Sequence, residues 1–332
     1  MNPRMTVAVL GGGSWGTTVA QLSAHNAETH LFSRRPEVVE AINERHENPV
    51  YLPGFQLHPE LRASGDIAEV VANADVVVMG VTSSGVADSL DALDGLLDPD
   101  TAIVSLVKGL DPETGRRVTE LISDRFPDNP VGVLTGPNLA KEILAGQAAA
   151  AVLAFDDDQL AARLQPLFAT ERFRVYTNTD VAGCELGGAL KNVIALASGM
   201  ADGLGAGDNT RAAVITRGLH ELTQLGVAMG GRAETFGGLT GMGDLVATCI
   251  SPQSRNRRVG EQLGLGRPLE EIVEEMQEVA EGIRSAAVVA RLGREHGLEL
   301  PICNEVCAVI KGERSAKEAY SGLLSRPRLS EF

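Results

Sequence analysis

The chain is poor in cysteine, in basic residues and in long apolar runs. Its four cysteines, Cys184, Cys249, Cys303 and Cys307, form no CxxC pair. Neither a zinc site nor a disulfide framework is indicated, and a reduced, cytoplasmic setting is the default. Lys and Arg total 29 against 44 Asp and Glu, a formal net charge of −15. Such an acidic balance argues against nonspecific binding to nucleic acid or to an anionic membrane. It does not exclude a small anionic substrate, because a local cluster of Arg and Lys can hold one within an acidic whole. No apolar run approaches the ~18 residues that a membrane span needs. The longest candidates, such as Ala148–Phe155, are strand-sized. Near the N-terminus, Thr6–Leu10 is followed directly by three glycines, too short a run for a signal-peptide core.

What is present is ordinary for a folded chain. Hydrophobic residues make up 44% and charged residues 22%, which excludes disorder. At ~100–200 residues per domain, the 332 residues suggest two domains. The first half alternates short β-branched runs with helical stretches. Thr6–Leu10, His30–Ser33, Asp75–Val81, Thr101–Val107, Val131–Leu134, Ala149–Phe155 and Arg172–Tyr176 read as strands. Their near-continuous apolar character suits strands covered on both faces, and the alternation implies βαβ units. Beyond Asp180 the periodicity turns helical, over Gly183–Met200, Thr210–Met229, Leu269–Met276, Gly282–Glu295 and Asn304–Lys311. The expected architecture is an α/β domain over residues 1–179, with a doubly wound, mostly parallel sheet. An all-helical domain follows over residues 180–332.

The strand Val7–Leu10 runs straight into Gly11-Gly12-Gly13-Ser14-Trp15-Gly16. This is GxGxxG at Gly11, Gly13 and Gly16, between a strand and a helix. The first glycine permits the turn, the second lets a pyrophosphate approach the backbone, and the third lets helix pack on strand. In an NAD site an acid is expected ~20 residues on, at the end of the second strand. Here that strand ends Ser33-Arg34-Arg35, and guanidinium groups suit a ribose 2′-phosphate. NADP(H) is therefore favoured, with NAD(H) as the alternative.

Ser254 reads as the N-cap of a helix whose first turn carries Arg255, Arg257 and Arg258. Cations at that positive end call for an anion, either a bound phosphate or solvent around a basic face. Thr240-Gly241-Met242-Gly243-Asp244 reads as a second tight glycine turn, carrying one acid. Lys191 interrupts an apolar helix, with Gly187, Gly188 and Ala195 as small neighbours that leave room for a ligand. The residues alone leave Lys191 open between a general base and a lysine snorkelling from a packed stripe. Lys108, after the strand Thr101–Val107, and Gly136-Pro137-Asn138, after another, stand where ligands gather in open α/β sheets.

In order and spacing these segments, with Gly207-Asp208-Asn209, Arg217-Gly218 and Val279-Ala280-Glu281-Gly282, resemble the bacterial NAD(P)-dependent glycerol-3-phosphate dehydrogenases along the whole chain. The resemblance implies a Rossmann-type domain followed by a helical substrate domain, with the site in the cleft between them. It implies interconversion of sn-glycerol 3-phosphate and dihydroxyacetone phosphate, feeding phospholipid synthesis in the reductive direction. Lys191 matches the family's proton acceptor. Lys108, Gly136, Asn138, Asp244, Ser254, Arg255 and Asn256 match substrate positions. Ser14, Trp15, Arg34, Arg35, Lys108, Ala140, Arg255, Val279 and Glu281 match cofactor positions, beside the glycines. Asn138 departs from the Ser or Thr usual in the family, although an amide also hydrogen-bonds. A small-molecule substrate, no metal and a homodimer by default complete the expectation. The rivals are a hydroxy-acid dehydrogenase or ketopantoate reductase of the same architecture, and a non-enzymatic NADP(H) sensor.

Overall fold

The computed structural model describes residues 5–276 and 280–324. It divides into two compact units, one built from the chain up to Asp111 and from Arg116–Glu185, the other from Pro112–Gly115 and the chain from Leu186 onward. The division falls inside the helix Val181–Gly203.

Among the described residues of the first unit ten strands follow in chain order: β1 Thr6–Leu10, β2 Glu28–Phe32, β3 Glu47–Asn48, β4 Leu52–Gln56, β5 Arg62–Ser64, β6 Val76–Met79, β7 Ala102–Ser105, β8 Val131–Thr135, β9 Ala149–Phe155 and β10 Phe173–Asn178. Eight form one sheet in the order β10-β9-β8-β7-β6-β1-β2-β5. Every pairing is parallel except β8 with β9. All seven expected strands are present, with ends shifted by a few residues. Val7, Val9, Leu31, Val76, Val78 and Val104 pack into a core on one face, and Ala8, Leu10, Val77, Met79 and Ile103 into a core on the other. Burial on both faces is why these strands read as apolar runs rather than alternating ones.

Sequence reading missed β5 and the antiparallel pair β3–β4. β5 is a three-residue edge strand with Arg62 and Ser64 outside the core, and β4 contains Pro53 and Gly54. Both residues argue against a strand on local grounds.

The second unit is helical. The segment from Leu186 of Val181–Gly203 is joined by Asp208–Ala228, Ala233–Phe236, Asp244–Ile250, Arg255–Gly264, Leu269–Glu274, Glu281–Glu295, Pro301–Ile310 and Ala316–Leu324. The expected tight glycine turn at residues 240–244 is instead a π-helical turn, Leu239–Gly243, running directly into Asp244–Ile250. Glu221 is buried, and its carboxylate accepts the N–H groups of Ile302 (2.8 Å) and Cys303 (3.0 Å), capping Pro301–Ile310.

Two helices meet through glycine. Gly203 on one faces Gly264 on the other, while Gly199 and Gly260 each lie against the partner helix's backbone. A methyl group on Gly199 would come within 2.0 Å of the Arg257 carbonyl oxygen, and one on Gly260 within 2.1 Å of the Leu196 carbonyl oxygen. Backbone therefore rests on backbone along Arg255–Gly264. Gly260→Ala is expected to destabilise the chain by about 2–3 kcal/mol through overpacking, measured as a lower urea midpoint at unchanged slope.

Candidate active site

In the first unit the candidate residues collect at the carboxyl ends of adjacent strands. The Gly11 N–H donates to the Phe32 carbonyl (3.0 Å) and the Gly80 N–H to that of Leu10 (2.8 Å). Gly11 has φ +118, and a Cβ there would lie 2.5 Å from the Gly80 oxygen. A Cβ on Gly16 would lie 2.1 Å from the Gly11 oxygen, whereas one on Gly13 would meet nothing within 4 Å. Gly11 and Gly16 thus shape the turn, and Gly13 leaves its backbone open to a ligand. Gly13 is also the N-cap of helix Ser14–Ala24, which no side chain caps. An open backbone at a positive helix end suits the diphosphate of a dinucleotide.

The turn is clamped by a residue that sequence reading missed. Asn48 is fully buried, and its amide donates to the Gly12 carbonyl (2.8 Å) and the Thr17 hydroxyl (2.9 Å). Its Oδ1 accepts the Tyr51 N–H (3.3 Å), and the Ser14 hydroxyl donates to the Tyr51 carbonyl (3.3 Å). The signal was weak: an Asn before Pro-Val-Tyr-Leu-Pro-Gly reads as turn chemistry. Trp15 packs against Phe173 with ring centroids 6.4 Å apart, and its indole N–H is buried without a partner. Arg34 and Arg35 are both exposed. Arg35 lies over the Tyr51 ring, 5.7 Å from its centroid.

Two neighbouring loops hold the next group. The Lys108 ammonium donates to the Gly136 carbonyl (2.8 Å), joining the loops after β7 and β8. Gly136 has φ +138, so a side chain there would be strained. Both polar atoms of the Asn138 amide are buried without a hydrogen-bond partner. A native structure rarely leaves such groups unanswered unless a ligand or water completes them. Ala140 is half-buried at the start of helix Ala140–Leu144.

In the second unit Lys191 is 5% exposed and Asp244 2% exposed. The Lys191 ammonium donates to Asp244 Oδ1 and to the Thr248 hydroxyl (2.8 Å), and that hydroxyl donates to the Asp244 backbone carbonyl (2.6 Å). So buried and paired, the Lys191 ammonium does not snorkel to solvent. Of the room expected beside it, the part at Gly187 is corrected. A Cβ on Gly187 would come within 2.6 Å of the Thr240 carbonyl oxygen, so that space is filled by the π turn. Thr248 was missed because its hydroxyl acquires meaning only once it faces Lys191. Burial pushes the neighbouring Cys249 thiol up to about 12, with the Lys191 charge opposing.

Ser254 caps its helix as expected, accepting the Arg257 N–H (3.2 Å). Arg257 pairs with Asp202 (2.6 Å) and Glu261 (3.3 Å). Arg255 and Arg258 are exposed. The Asn256 amide donates to Asn192 Oδ1 (2.9 Å), and its oxygen accepts the Gly282 N–H (2.9 Å). Substrate candidate Asn256 is thereby tied to both the Lys191 helix and the start of Glu281–Glu295, where Glu281 is half-buried. Val279 lies outside the described residues. Among the described residues no group of three or more His, Cys, Asp or Glu could hold a metal ion, and no helix is long and apolar enough to cross a membrane.

Comparison with known proteins adds independent findings. Residues 6–161 match the family model for the NAD-dependent glycerol-3-phosphate dehydrogenase N-terminus, and residues 180–321 that for the C-terminus. The chain is 57% identical over 321 residues to the NAD(P)+ glycerol-3-phosphate dehydrogenase 2 of Sphingopyxis alaskensis, covering 97% of this chain and 96% of that one. It is 51% identical over 320 residues to the NAD(P)+ glycerol-3-phosphate dehydrogenase 1 of Mycobacterium tuberculosis, covering 96% and 94%. The crystal structure of glycerol-3-phosphate dehydrogenase from Coxiella burnetii superposes with a TM-score of 0.92 at 34% identity, covering 97% of this chain and 99% of that one.

All four cysteines are buried and outside any disulfide, and a thiol pushed up to about 12 is protonated at pH 8. Iodoacetamide at pH 8 is expected to leave the native protein unmodified by mass spectrometry and to label it only after denaturation. Rapid native labelling of Cys249 would contradict its burial.

Proposed function

Because the chain belongs to the NAD-dependent glycerol-3-phosphate dehydrogenase family, we propose that it interconverts sn-glycerol 3-phosphate and dihydroxyacetone phosphate, using NADP(H) in preference to NAD(H). The observation that carries this reading is the buried triad of Lys191, Asp244 and Thr248. When bound, the nicotinamide supplies or accepts the hydride, and the protein must bind, orient and move a proton.

Lys191 is the proton carrier. In reduction its ammonium gives a proton to the carbonyl oxygen as that oxygen gains charge. In oxidation its amine takes the hydroxyl proton. Asp244 and Thr248 hold Nζ in place, so little ordering remains for the reactive geometry. Asp244 also forms a direct ion pair with the lysine.

We assign Ser254, Arg255 and Asn256 to the substrate phosphate. Ser254 and Asn256 are already spent partly on the helix start and on Asn192 and Gly282, so the exposed Arg255 supplies the charge. Lys108, Gly136 and Asn138 are assigned to substrate contact as well, the unpartnered Asn138 amide supporting its share. Cofactor contacts go to Gly11–Gly16, Arg34, Arg35, Lys108, Ala140, Arg255, Val279 and Glu281. The open face of Gly13 supports the first of these. Within this reading the reductive direction supplies glycerol 3-phosphate for phospholipid synthesis. The four cysteines, outside any disulfide, suit a cytoplasmic setting, and a homodimer is the assembly expected by default.

Purified protein is expected to oxidise NADPH in the presence of dihydroxyacetone phosphate, and NADH more slowly, followed as loss of nicotinamide absorbance. Lys191→Ala should lower turnover by about 10²–10⁴-fold while NADPH still binds. Unchanged turnover would remove Lys191 from this role, and no oxidation of either cofactor would refute the assigned reaction.

A further inference from the structure

We propose that Glu37 sets the balance between the two nicotinamide cofactors, by competing with the ribose 2′-phosphate for Arg35. The inference rests on the cofactor reading above and concerns a residue that reading leaves without a role.

The end of β2 carries arginines where an acid is expected, but the acid is not missing from the fold. Glu37 stands two residues beyond Arg35, in the first turn of helix Pro36–Arg45. Arg35 Nη1 donates to Glu37 Oε1 at 3.2 Å. The same guanidinium lies over the Tyr51 ring. Tyr51 in turn is fastened to the glycine turn, through Asn48 and Ser14. The Arg35–Glu37 pair is thus built onto the turn that the dinucleotide would approach.

Each member of the pair favours the other's charge. The hydrogen bond to Glu37 raises Arg35 above its ordinary value. The Glu37 carboxyl is held below its usual range, first by its own backbone N–H and then by Arg35. A carboxylate is therefore present at neutral pH. A 2′-phosphate that binds Arg35 must lie beside that carboxylate or displace it, and like charges sharing one guanidinium repel. A 2′-hydroxyl instead brings a donor, which a carboxylate accepts. Arg35 attracts the phosphorylated cofactor, Glu37 tempers that attraction, and the pair together admits both.

The only tryptophan of the chain, Trp15, lies in the glycine turn, so its emission serves as the probe of binding there. Trp15 emission is titrated with NADPH and with NADH, without substrate, for the wild type, Glu37→Gln and Arg35→Ala. Glu37→Gln is expected to tighten NADPH by about 3–10-fold and to weaken NADH, a change that fades at high salt. Arg35→Ala should shift the ratio the opposite way. If Glu37→Gln binds both cofactors with the wild-type ratio, the inference is overturned while the cofactor reading stands. If neither cofactor binds the wild type, by emission or by equilibrium dialysis, the cofactor reading fails and takes this inference with it.

Discussion

The second unit depends on one constraint: helices that approach until backbone touches backbone. Gly199, Gly203, Gly260 and Gly264 each lie against the backbone of the facing helix at a separation that leaves no space for a methyl group. Gly187 does the same for the π turn at Thr240. These contacts set where the polar side chains stand. The first brings the start of Arg255–Gly264 close enough for Asn256 to bond Asn192. The second brings Asp244 and Thr248 to Lys191. A buried lysine is costly unless it is paired and hydrogen-bonded. The glycine contacts therefore create both the site and the condition under which its charge can be buried.

The first unit reaches a similar result with different parts. Parallel strands align their carboxyl ends, so loops far apart in the chain share one edge of the sheet. Gly11 sits against Gly80, and Lys108 reaches the Gly136 carbonyl. Asn48 then fixes the glycine turn from a short strand that contributes nothing to the large sheet. Its buried amide spends its donors on the turn, so the turn keeps its shape before any ligand arrives.

Buried charge is answered locally throughout. Asp202 and Glu261 neutralise Arg257. Glu221 places its carboxylate on the first N–H groups of Pro301–Ile310, although burial still pushes its carboxyl up. The arginine-rich helix start divides its charges between packing and the surface. Of three cations at a positive helix end, Arg257 belongs to the packing, while Arg255 and Arg258 are exposed.

Much of this was legible in the residues. Seven of the strands of the large sheet follow from apolar runs, and the helical second half from its periodicity. The glycine turn follows from its place between strand and helix, and Ser254 from its capping position. Each of these signals is local, arising from neighbours within a turn or a pleat. The strands β3, β4 and β5 were not legible, because their pairing overrides local residues that disfavour a strand. Asn48 and Thr248 were not legible either, since an amide or hydroxyl shows its function only through what it faces. The sequence alone determined the two architectures, the glycine turn and the presence of Lys191 within an apolar helix. Only the tertiary structure decided that Asp244, 53 positions away, would meet that lysine. The glycines that allow the approach are visible in the sequence, but the backbone that fills the space they leave is not.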